Sequence, residues 1–191
     1  MATQSAHGAA EVRCPGCGPG GARAVPEVCA DPAARREGLA DRLARSPEAP
    51  SRFDSGLHFA EGMLMAAVGI ALACGGIRGG KPLFTAGGSL LAVVLFVGTL
   101  VVVRGEIRER ALVAAGAPRA EALWRPAYHC TGCGSVFCPG GTPWPGRLTP
   151  EQFRKLVWTE AGHGPQLEER AAEAELPPGL QAGPTGSPGH A

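Results

Sequence analysis

Leu83-Phe-Thr-Ala-Gly-Gly-Ser-Leu-Leu-Ala-Val-Val-Leu-Phe-Val-Gly-Thr-Leu-Val-Val-Val103 contains no charged residue. At about 1.5 Å per residue, a helix of this length reaches the roughly 30 Å of a bilayer's hydrocarbon core. A soluble helix as long would show a polar face, and this run has none. Upstream, Gly62 to Ile77 is also uncharged. It reaches spanning length only with Leu57, His58, Phe59 and Ala60 added, which places Glu61 near the interface. Arg78-Gly-Gly-Lys-Pro82 separates the runs, and so short a connection forces an antiparallel return. The expectation is a mainly α membrane protein with a two-helix transmembrane hairpin over 57–103, its spans at 57–77 and 83–103.

The rest of the 191-residue chain is poor in core-forming material, with 29 Gly, 18 Pro and 5% aromatic residues overall. Neither flank is expected to build a large core alone. With 18 Lys+Arg against 17 Asp+Glu, there is no bulk basic field to drive nonspecific nucleic-acid binding, so the lipid bilayer, not nucleic acid, is the expected partner. Only Lys81 and Lys155 among the 18 basic residues are lysine. With abundant Ala, Gly and Pro, this composition fits a GC-rich bacterial genome and a bacterial cell membrane. The first span is expected to serve as the insertion signal, since no charged n-region followed by an apolar h-region opens the chain. Arg45, Arg52, Arg104, Arg108, Arg110 and Arg119 lie outside the two runs, against Arg78 and Lys81 in the turn. The positive-inside rule then puts both termini in the cytoplasm.

Small residues recur every four positions on the first helix (Ala67, Ala71, Gly75) and on the second (Gly88, Ala92), a stripe that lets backbones approach. The expectation is that the two helices pack on each other through it, or on a second copy as a homo-oligomer. His58 and Glu61 sit at the end of the first span and read as a snorkelling interface pair.

The chemistry lies outside the hairpin. Cys14-Pro-Gly-Cys17-Gly18 precedes it and Cys130-Thr-Gly-Cys133-Gly134 follows it, both C-x-G-C-G. Two intervening residues let both sulfurs of a pair face one ion, and the glycines permit a tight turn with positive φ. Two knuckles supply four thiolates, enough for a closed tetrahedral zinc site. They are far apart in sequence, but a hairpin returns the chain to its starting side, and a cytoplasmic location keeps thiols reduced. Isolated thiol pairs or disulfides are the competing reading. A thioredoxin-like pair is disfavoured because Gly18 and Gly134 do not suit a helix start. Cys29, Cys138, His129 and His163 are possible replacement ligands. Cys138, before Pro139-Gly-Gly141, reads as a free thiol in a mobile loop, and Cys74 as a small packing residue inside the first span.

In the two knuckles and in Gly134-Ser-Val-Phe137, which looks like a strand leaving the second, the sequence resembles bacterial zinc-ribbon membrane proteins with two transmembrane helices. The resemblance implies a structural zinc site made by Cys14, Cys17, Cys130 and Cys133 in a small, split zinc-ribbon-like cytoplasmic region. Two half-sites completed by a second chain are the alternative to a site within one chain.

The remaining signals are local. Asp31-Pro32 caps a mostly polar helix that ends at Ser46-Pro47, followed by a flexible approach to the membrane. Arg104 to Ala115 extends the second span as a helix until Gly116-Ala-Pro118 stops it. Thr149-Pro-Glu-Gln152 is a capping box opening a helix whose Phe153, Leu156 and Val157, with Trp158 beside them, dock on the ribbon together with Trp124 and Trp144. The organisation expected is a first knuckle in 1–30, a short helix and linker in 31–56, the hairpin in 57–103, a helical extension in 104–125, a second knuckle with its amphipathic helix in 126–160, and a disordered tail in 161–191. No catalytic constellation stands out, so a non-enzymatic adaptor or assembly module with a protein partner is the leading expectation. A membrane-bound thiol redox protein and a membrane-tethered nucleic-acid-binding regulator are the alternatives.

Overall fold

The computed structural model describes residues 12–49 and 51–180. The start of the first-knuckle segment and the tail beyond 180 lie outside the described residues. In chain order the elements are β1 (Ala22–Ala24), α1 (Val25–Ala30), α2 (Pro32–Arg36), α3 (Leu39–Arg42), α4 (Arg52–Arg78), α5 (Pro82–Trp124), β2 (Tyr128–Cys130), β3 (Val136–Phe137), β4 (Arg147–Leu148), α6 (Pro150–Glu160) and α7 (Glu169–Glu173). They form two compact units: Glu48–Ala114, and a second built from the segments on either side of it.

In the first unit, Ser51 caps α4 by accepting the Asp54 amide at 3.0 Å, so the helix begins where a flexible approach was expected. The turn to α5 is a Schellman motif. Gly80 takes φ +62°, the Lys81 amide donates to the Gly76 carbonyl at 2.8 Å and the Gly80 amide to the Ile77 carbonyl at 3.3 Å. Both helices are long and apolar enough to cross a membrane, with mean hydropathy 1.7 and 2.5 over their most apolar windows. Only 22% and 11% of those windows are buried. A core helix of a soluble protein would be mostly covered, whereas Leu64, Ile70, Leu90 and Val93 all face outward.

The helices meet along a seam of small residues, but on α4 it is not the four-residue stripe. Ala66, Gly69, Ala73 and Gly76 are buried, whereas Ala67, Ala71 and Gly75 are exposed. Alternating steps of three and four residues keep a side facing its partner, while a strict four-residue stripe drifts round the helix. On α5 the stripe residues Gly88 and Ala92 do lie on the seam. A Cβ on Gly69 would come within 2.7 Å of the Ala92 backbone nitrogen, and one on Gly88 within 2.7 Å of the Gly69 carbonyl. His58 pairs with Glu106 of α5 at 2.8 Å rather than with Glu61.

The second unit carries a four-stranded antiparallel sheet in the order β1-β2-β3-β4. Ala22 faces Cys130 and Ala24 faces Tyr128, so the first strand comes from before the hairpin and the other three from after it. The main apolar cluster draws on both flanks in the same way: Val25, Val28, Ala34 and Leu43 join Trp144, Leu148, Phe153 and Val157. Neither flank holds enough apolar surface alone. Each large side chain buried here is worth roughly 1.5–3 kcal/mol.

Three segments depart from expectation for that reason. The segment 31–45 is not a polar linker helix: Asp31 caps α2 through the Ala33 amide at 2.9 Å, Gly38 at φ +68° breaks the run, and α3 leads into Leu43, which is fully buried. The helix after the second span is not stopped by Pro118. It continues to Trp124, because burying Ala120 and packing Leu123 and Trp124 on the core offsets a proline cost of about 3 kcal/mol. The described part of the tail, 161–180, is folded: Leu167, Ala171, Leu176 and Leu180 pack on the core, and Lys155 Nζ donates to the Ala172 and Ala174 carbonyls at 2.7 and 2.8 Å. Its polar average composition concealed that spacing of apolar residues.

The α6 capping box forms in full. Thr149 Oγ1 accepts from the Gln152 amide at 3.2 Å and Gln152 Oε1 from the Thr149 amide at 2.9 Å. Trp144 stacks near Phe153 with ring centroids 5.5 Å apart, and the indoles of Trp124 and Trp158 donate to the Leu43 and Ala44 carbonyls at 2.8 Å each.

Candidate metal centre

Each C-x-G-C-G segment folds as a tight turn closed between its first cysteine and the glycine four residues on. In the first, Cys14 and Gly18 exchange both amide–carbonyl bonds at 3.0 Å, and Gly18 takes φ +84°. In the second, the Gly134 amide donates to the Cys130 carbonyl at 2.8 Å, with Gly134 at φ +67°. A residue with a Cβ is strained at these angles, which accounts for glycine after both second cysteines. Pairing of β1 with β2 places the two turns side by side, and Thr131 ties them by donating its amide to the Gly21 carbonyl at 2.9 Å.

This arrangement brings together the sulfurs of Cys14, Cys17, Cys130 and Cys133, all within 4.8 Å of one another. The shortest approaches cross between turns: Cys14 Sγ to Cys133 Sγ is 3.6 Å and Cys17 Sγ to Cys130 Sγ is 3.2 Å. A metal with four thiolates at about 2.3 Å needs sulfurs roughly 3.8 Å apart, so the observed spacing fits one ion. Each turn gives one buried cysteine, Cys14 or Cys130, and one exposed, Cys17 or Cys133.

The thiols do not ionise alike. The Ser135 hydroxyl, 3.0 Å from Cys133 Sγ, and the Ser135 amide draw that thiol down to about 6. Hydrogen bonding to Cys130, Cys14 and Cys133 pushes Cys17 up to about 12. Cys14, helped by the Gly16 and Cys17 amides, is lowered as well, whereas ionisation of Cys17 is strongly resisted, as expected where negative charges crowd without a cation. A divalent ion at the centre removes that conflict.

Two neighbours of the site have different sequence signals. Ser135 directly follows the second motif, and its hydroxyl is the outer-shell partner that thiolate sites commonly recruit. Arg147 on β4 lies over Gly16, where a Cβ would meet its guanidinium. Nothing in the linear sequence links that arginine to the first turn.

The other candidate ligands are elsewhere. Cys138 is buried in an ordered turn, not a mobile loop, and donates to the Thr142 carbonyl and to that of Pro126. Cys29 is half-buried and directs its thiol at the Ala40 and Leu43 carbonyls. Burial raises both thiols. Cys74 is exposed on α4 and packs in no seam. His129 and His163 are buried, and burial holds both below the usual imidazole value, but neither joins the sulfur cluster. No family model matches the chain, and no curated protein or solved structure is significantly similar to it.

Proposed function

We propose that this chain is an integral membrane protein of two spans that holds a structural zinc ion through Cys14, Cys17, Cys130 and Cys133 and serves as a non-enzymatic adaptor or assembly module. One observation carries the reading: sulfurs from both sides of an apolar helical hairpin lie within 4.8 Å of one another. A closed set of four thiolates leaves no open position for a substrate, which separates structural from catalytic zinc. The donor set excludes hard cations and favours zinc over iron only by availability, so metal analysis decides between them. The metal would clamp two turns whose own strands are two or three residues long. Four ligands within one chain favour an intramolecular site over half-sites shared between copies.

The full chain purified in mild detergent should carry about one zinc per chain, and Cys14→Ser or Cys130→Ser should lose it. Binding must displace the Cys17 proton, held up to about pH 12, and below about pH 6 the Cys133 proton as well, so metal affinity should fall as pH drops and fall more steeply below about pH 6. Metal-free protein with an interconverting disulfide would instead establish a thiol redox role, and one iron per chain would overturn the choice of zinc.

A further inference from the structure

At the end of the hairpin nearest both chain flanks, α4 and α5 enclose a groove of about 640 Å³. Phe59, Val103 and Ile107 give it apolar walls, and Arg52, Ser55 and Arg110 give it a polar rim. Arg110 is fixed in place: Nη2 donates to Ser55 Oγ at 2.6 Å and Nε to the Glu106 carbonyl at 3.3 Å. The Arg52 side chain has no hydrogen bond or ion pair among the described residues. Glu106 binds His58 at 2.8 Å and also interacts with Ser55 and Arg110, so Arg52 is the cation of the rim that no neighbour balances.

We propose that this groove binds one anionic phospholipid, its phosphate between Arg52 and Arg110 and its upper acyl chains against Phe59, Val103 and Ile107. The inference rests on the membrane reading above. Guanidinium groups match phosphate geometry, and Arg110 is already oriented, so little side-chain freedom is lost on binding. Apolar walls directly beneath two cations suit an amphiphile and not a soluble anion. The groove lies where the uncharged runs give way to charge, which is the depth of lipid headgroups. Ile107 is itself 55% exposed, so acyl chains lying in the groove would cover apolar surface that is otherwise open.

The test is native mass spectrometry of the full chain in mild detergent, with phosphatidylglycerol and phosphatidylcholine added at equal concentration. Retention of one phosphatidylglycerol in preference to phosphatidylcholine is expected. Arg52→Gln, which breaks no internal bond, should weaken it roughly fivefold. Arg104→Gln, outside the groove, should leave it unchanged, and inorganic phosphate should not displace the lipid. Equal retention of the two lipids, a silent Arg52→Gln, or an equal loss in Arg104→Gln would overturn the site. Displacement by phosphate would show an anion site with no lipid. A chain that stays in the aqueous phase after detergent-free lysis overturns the membrane reading and this site together. A membrane-fraction chain without lipid preference overturns the site alone.

Discussion

Gly116 lies within α5, where a Cβ would clash with the Ala161 carbonyl oxygen and come within 2.7 Å of His163 Nε2. The helix backbone is therefore laid directly against the turn after α6, and no side chain fits between. In an open helix, glycine to alanine gains about 1 kcal/mol. Here the obstacle is a backbone oxygen that cannot rotate away, so an overpacking cost of about 1–3 kcal/mol outweighs the gain. Gly116→Ala should lower the thermal unfolding midpoint of the full chain. Gly105→Ala on the same helix, with open space around it, should leave the midpoint unchanged or raise it. A rise in both variants would show that the close approach does not exist. Residues 116–118 thus act as two separate devices, a glycine for contact and a proline tolerated for burial, where the sequence alone reads as one helix stop.

Among the elements, the helix pair offers the sharpest contrast between equivalent residues. Gly69 and Gly88 face a neighbouring backbone, whereas Gly75 and Gly87 face open space. Gly69→Leu or Gly88→Leu should destabilise the pair by about 1–3 kcal/mol in detergent unfolding experiments, and Gly75→Leu should have almost no effect. If Gly75→Leu is the damaging change, the four-residue stripe is the true contact. The existence of both long helices, the α6 cap and the paired cysteine turns were legible because each depends on local rules: charge-free length, Thr149-Pro-Glu-Gln152, and a repeated motif. The face by which α4 packs was not, since composition allows both stripes and only the partner's geometry selects one. The full burial of Leu43, on one face of its helix with Leu39, and the packing of Leu167 were not legible for a related reason. Their burial depends on segments distant in the chain, which no window along the sequence can register.

At the scale of the whole molecule, the four clustered cysteines come from both sides of the helical hairpin, so in the proposed membrane protein topology sets their chemistry. If α4 and α5 both span, the described cysteine turns belong to one compartment. Six arginines flank the runs outside the turn, namely Arg45, Arg52, Arg104, Arg108, Arg110 and Arg119, while the turn holds only Arg78 and Lys81. Translocating the smaller charge is favoured, so the orientation we propose has the turn outside and the cysteines in the cytoplasm. Reporter fusions should read outside at Gly80 and inside after the last residue. The orientation also decides the state of the thiols. In a reducing compartment all four remain available to metal, but in an oxidising one the cross-turn pairs, at 3.6 and 3.2 Å, are close enough to be captured as disulfides. A tail reporter that reads outside would therefore remove the reducing environment on which the zinc reading depends, and would make two cross-turn disulfides the expected product on isolation.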